Sequence, residues 1–391
     1  MIDETIEIAE PQQGKAPSTS RMQHLIDPCL CIRCNTCEET CPRGAISHDD
    51  NNYVVDADLC NHCKACVAPC PTGAVDRWQA VAHPYSLASQ LSWKDLPEPT
   101  LSFTTSPMVA ADPLTRHEVT KPTVQLFGRF NPAAATVIVN QSATRSHLNE
   151  VRHIVLDFGS QRMPLMEGQS IGILAPGLDQ RGHAHIERLY SVASARGGEV
   201  DGTNTFALTV KRIPSGTCSN YLCNAKVGDK VHVVGPFGDT FLLPQDPQSN
   251  LLMVCTGTGV APFRGFIQQR LRSMRNALGE LMIFYGGRTA EELPYFGRHE
   301  SLPAGFLDQH ICFSREPALP RFYVQDRMRL SSDRIKNLLM APETHIFICG
   351  RKGIETGVEE AFNDILKSSK SAWLSQREAM RAQGRFHVET Y

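Results

Sequence analysis

The run Cys31-Ile32-Arg33-Cys34-Asn35-Thr36-Cys37-Glu38-Glu39-Thr40-Cys41-Pro42 returns in spacing 29 positions later as Cys60, Cys63, Cys66, Cys70 and Pro71. Both copies read C-x2-C-x2-C-x3-C-P. That spacing brings three thiolates of one tight loop, and a fourth from further along, around a cubane of iron and sulfide. Eight cysteines so close together also fit disulfides or structural zinc. Disulfides need an oxidising compartment, and the acidic stretch Met1 to Glu10 has no apolar segment of the kind a secretory signal requires. Zinc sites usually show two C-x2-C pairs with a longer spacer, not four cysteines in one run followed by proline. Paired iron–sulfur clusters are therefore expected. Cys29 breaks no spacing and is read as a spare thiol beside a cluster in preference to an alternative ligand.

The double run resembles the two-cluster bacterial ferredoxins, in which the fourth cysteine of each run serves the other cluster. The resemblance implies one [4Fe–4S] centre held by Cys31, Cys34, Cys37 and Cys70, and a second held by Cys60, Cys63, Cys66 and Cys41.

Working outward, 391 residues predict two to three domains, and 41% hydrophobic with 20% charged side chains is ordinary globular composition. A formal net charge of −2 argues against a nucleic-acid binder. Its distribution is uneven: residues 1–83 carry 6 basic and 12 acidic side chains, and the other 308 carry 33 and 29. An acidic electron carrier tethered to a mildly basic body suggests electrostatic docking of one on the other, although solvated charge alone would look similar. No run approaches 18 apolar residues, so no membrane span is expected, and the reducing cytoplasm is the expected location. There Cys218, Cys223, Cys255, Cys312 and Cys349 would stay free thiols.

In chain order, residues 1–24 are polar and read as a disordered tail, and 25–80 form the two-cluster unit. Asp49 to Asn52 followed by Tyr53-Val54-Val55 reads as a turn and short hairpin strand. Prolines 84, 97, 99, 107 and 113 mark 81–120 as a linker, with a short helical turn around Ser86 to Trp93. From 121 to 247 short β segments (Thr136–Asn140, Val151–Asp157, Ser170–Leu174, Phe206–Val210, Lys230–Val234) are punctuated by glycine and proline, which predicts an antiparallel barrel. From 248 to 391 apolar strands Leu251–Cys255, Leu281–Tyr285 and His345–Ile348 alternate with helical stretches, the pattern of an α/β domain with a parallel sheet.

Arg188-Leu189-Tyr190-Ser191 offers a guanidinium for phosphate, a ring to stack on an isoalloxazine and a hydroxyl for its edge. About 25 residues on, Gly216-Thr217-Cys218-Ser219 opens a helix whose free amides suit a pyrophosphate. Thr256-Gly257-Thr258-Gly259 follows a strand directly and precedes Val260 to Arg264, where glycines let the backbone approach a second pyrophosphate. Each signal alone is weak, since any exposed strand or loop can show it.

Together with Gly235 to Gly238, Cys349-Gly350 and Val388-Glu389-Thr390-Tyr391, these motifs occur in the order of the ferredoxin–NADP reductase family, which residues 121–391 resemble. The resemblance implies that Arg188, Leu189, Tyr190, Ser191, Lys211, Gly216, Cys218 and Ser219 belong to the FAD site, with Tyr391 covering the other face of the flavin. It also implies that Ser191, Cys349, Glu389 and Tyr391 surround the point where nicotinamide meets flavin. Ser314, Arg315, Arg321 and Tyr323 match the family segment for the adenosine 2′-phosphate and adenine. Arginine and hydroxyl donors suit that phosphate, so NADPH is preferred to NADH, although Glu316 points the other way. The chain lacks the aromatic-rich insertion that plant members carry near residues 213 to 216.

The module order at this length further resembles the reductase components of benzoyl-CoA-epoxidising oxygenase systems of aerobic benzoate degradation. That implies an NADPH-to-FAD-to-cluster path ending on a separate di-iron oxygenase component, with homodimerisation left open. Two other readings stand beside it. One is a general NADPH–ferredoxin oxidoreductase, and the other a redox-sensing iron–sulfur protein with an inactive reductase module.

Overall fold

A computed structural model of the chain describes residues 21–63, 65–67, 70, 74–75, 77–81, 83–97, 121–146, 149–179, 182–273, 278–295, 302–366 and 373–391. The chain divides into two compact units, Met1–Met108 and Val109–Tyr391.

In the first unit β1 (Arg21–Leu25), α1 (Thr36–Thr40), β2 (Ile46–His48), β3 (Tyr53–Val55), β4 (Arg77–Val81) and α2 (Leu87–Leu91) follow one another. β2 and β3 form the hairpin expected around Tyr53, and the Asp49 carboxylate fixes its turn by accepting from the amides of Asn51 and Asn52 at 2.7 and 2.6 Å. β1 pairs antiparallel with β4, from Arg21 opposite Val81 to Leu25 opposite Arg77. This corrects the expected boundary at residue 25: Arg21 to His24 are strand, because their ladder partners lie beyond the second cysteine run. Residues 1–20 of the expected tail lie outside the described residues, as do 98–120 of the expected linker and Pro71.

The linker boundary at 81 is also corrected. Buried Gln90 lies against β3, accepting from the Val55 amide at 3.1 Å and donating to the Val55 carbonyl at 3.0 Å. Asn52 donates to the carbonyls of Gln90, Leu91 and Trp93 at 3.3, 3.0 and 2.7 Å, satisfying the open C-terminal end of α2. Residues 83–97 thus belong to the cysteine unit. Cys29 is exposed and reaches the Lys94 carbonyl at 3.1 Å and Asp95 at 2.8 Å.

The second unit begins with β5 (Ala133–Ser142), β6 (Val151–Asp157), β7 (Ser170–Leu174), β8 (Arg188–Ser191), β9 (Thr205–Lys211), α3 (Thr217–Asn224) and β10 (Lys230–Phe237). The strands make one antiparallel sheet in the order β8-β7-β10-β5-β6-β9. A bridge between Val192 and Leu208 brings its two outer strands together, curling the sheet towards closure. Along β5 the first residues alternate, with Ala133, Ala135 and Val137 buried and Ala134 and Ile138 exposed, the period of a half-buried strand. β9 is buried on nearly every residue, because Val155, Ala193 and Ala207 form a small second core with Ala261 of the following domain.

That domain contains β11 (Asn250–Thr256), α4 (Val260–Ser273), β12 (Leu281–Gly287), β13 (Asp308–Phe313), α5 (Val324–Leu330), α6 (Ser332–Met340), β14 (Thr344–Gly350), α7 (Ile354–Leu366), α8 (Trp373–Ala382) and β15 (Phe386–Thr390). Its five strands are all parallel, in the order β13-β12-β11-β14-β15. Alternate residues of β11 face two different cores. Leu252 and Val254 join Phe362 and Trp373 on one face, and Leu251, Met253 and Cys255 join Phe263 and Phe266 on the other. The strand order reverses between β11 and β14, which opens a crevice at their C-terminal ends. β13 and β15 were not expected as strands. Both are edge strands whose apolar positions are interrupted by Asp308, His310, His387 and Glu389.

Candidate functional site

In the cysteine unit Cys31, Cys34, Cys37 and Cys70 line one small cavity with Ile26, Tyr53 and Val75. Cys70 of the second run thus lines the same cavity as three cysteines of the first. Burial, with Cys31 and Cys70 adding like charge, pushes the Cys37 thiol up to about 11. Burial, with Cys41 and Cys60 nearby, pushes Cys66 up to about 12. Convergent sulfurs that resist ionisation by themselves suit cationic iron, which removes both the proton and the repulsion.

In the second unit a cavity of about 490 Å³ opens over the crevice between β11 and β14. Thr256, Gly257, Thr258, Lys211, Ser314, Arg315, Tyr323 and Tyr391 all line it. Arg321 is exposed and stands outside the lining. Gly259 lies just behind: a Cβ there would come within 2.2 Å of the Cys349 carbonyl oxygen, so only glycine lets the turn cross β14 this closely. Gly257 has φ +55, a left-handed conformation glycine adopts without cost. Tyr391 is pinned by its amide donating to the Gly350 carbonyl at 3.0 Å and by a 2.6 Å hydrogen bond between its hydroxyl and that of Thr258.

Arg288, Gln325, Arg351 and Lys352 also line the cavity and were not singled out from the sequence. Arg288 directly follows β12 and Arg351 directly follows β14, so cations just past strand ends were the readable signal. Burial, and then the positive charges of Arg288 and Arg351, lower the Lys211 pKa. Cations crowded against their own repulsion in one crevice are complementary to a polyphosphate.

Cys349 is buried one strand from Glu389, its register partner in β15. Burial raises the Glu389 carboxyl to about 7, against the opposing hydrogen bond with Ser191. Ser191 therefore connects the barrel to the last strand of the α/β domain. On β8, Arg188 and Leu189 are exposed, whereas Tyr190 packs against the barrel core. Burial, then the adjoining Cys218 thiol, shift the Tyr190 phenol strongly upward. Gly216 is the N-cap of α3, and Ser219 Oγ accepts from the Ile213 amide at 3.2 Å, shaping the turn from within. An exposed strand with a guanidinium, a ring held from behind and a nearby helix N-terminus can accept a flavin dinucleotide along the barrel face.

Glu199 joins the two domains. Burial alone would raise its carboxyl, but hydrogen bonds from His153, Arg264 and Ser194 hold it well below the usual carboxylate range. Arg264 of α4 reaches Glu199 at 2.7 and 2.6 Å and the Ala193 carbonyl at 2.7 Å.

These features define an NAD(P)H-dependent flavin oxidoreductase carrying an iron–sulfur domain. Three family models match it: a 4Fe-4S dicluster domain over residues 30–74, an oxidoreductase FAD-binding domain over 137–241 and an oxidoreductase NAD-binding domain over 253–360. Among similar proteins, the ferredoxin–NADP reductase of Synechocystis is 33% identical over 68% of this chain and 70% of its own length. That of Spirulina is 32% identical over 68% of this chain and 98% of its own. A ferredoxin-NADP+ reductase structure from Plasmodium falciparum with 2′P-AMP superposes with TM-score 0.55 at 25% identity, covering 68% of this chain and 98% of that one. The chain belongs to the ferredoxin–NADP reductase family. It transfers electrons by way of FAD, NADPH and 4Fe-4S chemistry. Among the described residues no helix is long and apolar enough to cross a membrane.

Proposed function

We propose that this chain is the reductase component of a benzoyl-CoA-epoxidising oxygenase system, passing electrons from NADPH through FAD and two [4Fe–4S] clusters to a separate di-iron oxygenase component. The observation that supports it is the fusion itself: a dicluster module at 30–74 precedes both reductase modules in one chain. A reductase that carries its own clusters is built to serve a dedicated acceptor. The named relatives match only 68% of this chain. Benzoyl-CoA belongs to the partner in this reading, and no residue of this chain is given a role in binding it.

Cys31, Cys34, Cys37 and Cys70 hold one cluster, and Cys60, Cys63, Cys66 and Cys41 the other. FAD supplies the conversion of a two-electron hydride donor into single-electron transfers. Arg188 would hold an FAD phosphate, Tyr190 would present its ring to the flavin and Tyr391 would cover its other face. Arg288, Arg315 and Ser314 would hold the 2′-phosphate and Arg351 the pyrophosphate; Lys211, expected at the FAD site, would join them because it lines the same cavity, and Ser191, Cys349 and Glu389 would orient the nicotinamide ring and exclude water.

The test is anaerobic titration of the purified chain with NADPH, followed by EPR. Both clusters are expected to become reduced; flavin bleaching with silent clusters would refute the electron path. Turnover is then compared between a purified di-iron oxygenase given benzoyl-CoA and a panel of ferredoxins and flavodoxins. Equal rates across the panel would make this a general NADPH–ferredoxin oxidoreductase.

A further inference from the structure

We propose that Glu316 is a positioning residue for the 2′-phosphate: its carboxylate accepts from the Ala290 amide and so fixes Arg288 beside Arg315. The inference rests on the reading above in which Arg288, Arg315 and Ser314 hold that phosphate. It gives Glu316 a role opposite to the one its charge suggests in the sequence.

An acidic side chain directly after Ser314-Arg315 would favour NADH if it reached the adenosine ribose, where it would accept from a 2′-hydroxyl and repel a 2′-phosphate. The structure gives Glu316 another partner. Ser314 and Arg315 line the nucleotide cavity, whereas Glu316 stands outside that lining. Its Oε2 accepts from the Ala290 amide at 2.8 Å. A carboxylate that accepts from a backbone amide makes a charge-assisted bond, stronger than one between neutral groups.

That bond is the third between the segments leaving β12 and β13. The Ser314 amide donates to the Gly287 carbonyl at 3.0 Å and the Arg315 amide to the Arg288 carbonyl at 2.7 Å, both continuing the parallel ladder that pairs Gly287 with Phe313. Past Arg288 the Glu316 side chain makes the next tie, to Ala290. Arg288 is thus bonded at its own carbonyl and again two residues on, with Arg315 held across from it. Their like charges repel, so a loop free to move would separate them. Ties on both sides of Arg288 keep the two guanidiniums at one cavity in advance of the nucleotide, which lowers the ordering cost of binding. Further along, the Glu291 carbonyl accepts from the amides of Arg145 and Ser146 at 2.9 and 3.0 Å, anchoring the same loop to the barrel. Loss of the Glu316 bond therefore loosens the flank of Arg288 and leaves the rest of the loop attached.

The experiment measures 2′,5′-ADP binding by calorimetry on the full-length, flavin-loaded protein, with KM for NADPH and NADH in ferricyanide reduction, for Glu316→Ala and Glu316→Gln. Ala removes the acceptor; the Gln carbonyl oxygen restores it without the charge. Glu316→Ala is expected to weaken 2′,5′-ADP and to raise KM for NADPH about fivefold, less than Arg288→Ala because the guanidinium is still present. KM for NADH and kcat should stay near wild type, and Glu316→Gln should recover most of the loss. In an Arg288→Ala background Glu316→Ala should add less than about twofold, since it acts through Arg288. Tighter 2′,5′-ADP binding in both variants would mean that the carboxylate repels the phosphate, and would overturn the proposal. An equal loss for NADPH and NADH, an undiminished loss in the Arg288→Ala background, no effect of Ala, or no rescue by Gln would overturn it too. If Glu316→Ala does not retain flavin, hydrogen exchange of the wild type decides: slowed exchange at the Ala290 amide supports the bond, and exchange at the rate of a free amide defeats it. Arg288→Ala and Arg315→Ala read the parent assignment separately. If neither separates NADPH from NADH, the 2′-phosphate assignment fails; if they do while Glu316→Ala does not, only the role of Glu316 fails.

Discussion

Glu389, at the end of β15, shares a hydrogen bond with Ser191, at the end of β8, so the last strand of the α/β domain is tied to the barrel. Burial raises the carboxyl from 4.5 to about 7. Between those values the folded state keeps a proton that the unfolded state has released, so Glu389 removes stability as pH rises through that window. Glu389→Gln is expected to flatten this part of the profile and to abolish any step near pH 7 in NADPH-ferricyanide activity. Thermal melts followed by flavin release, with rates at matched pH, check both.

His345 and His387 produce the opposite slope. Burial lowers each from 6.5 to about 4, and at His345 the charge of His387 and Arg385 adds to it. Both stay neutral in the fold, so the stability they contribute is complete above 6.5 and is lost as pH falls towards 4. Replacing His345 by Gln should make the melting temperature less sensitive to acid over that range. An unchanged acid limb would show that other groups set it.

The Glu199–Arg264 pair is partly buried, with side chains 15% and 22% exposed. Glu199→Gln leaves Arg264 with the Ala193 carbonyl but without its counter-charge. A cost of about 2–3 kcal/mol is expected, below the 3–5 typical of breaking a fully buried pair. Denaturant unfolding measures it, and Glu199→Gln with Arg264→Met should cost less than the sum of the single changes.

Gly259→Ala places a methyl group where the Cys349 carbonyl already lies. The turn has to move away from β14, so affinity for 2′,5′-ADP is expected to fall at least tenfold while flavin content stays near wild type. Isothermal titration with flavin absorbance gives both readings. Parallel losses of flavin and nucleotide would mean that the domain, and not the turn, had failed.

Arg315→Ala and Arg288→Ala each remove a donor from the cavity. A charge-assisted hydrogen bond contributes about 1.5–3 kcal/mol, so KM for NADPH should rise on the order of tenfold to a hundredfold. KM for NADH, which lacks the 2′-phosphate, should change little. An equal rise for both nucleotides would move these arginines from the 2′-phosphate to the shared pyrophosphate.

The sequence by itself determined whatever depends on spacing along a continuous stretch. The two cysteine runs, the Thr256–Gly259 turn after an apolar strand, the hairpin at Tyr53 and the α/β texture after 248 are local patterns, and local geometry follows from them. Tertiary structure decided what depends on partners far apart in the chain. Arg21–His24 are strand only because Arg77–Val81 pair with them, and residues 83–97 join the cysteine unit only because Gln90 finds Val55. β13 and β15 carry polar residues that hide their strand pattern, which pairing to a sheet edge overrides. Arg288 and Arg351 became site residues because β12 and β14 end on either side of β11, and Cys70 came to line one cavity with Cys31, Cys34 and Cys37. Side chains from distant stretches acquire a common chemistry only when packing brings their charges and sulfurs within a few ångströms, and no single window of sequence contains that distance.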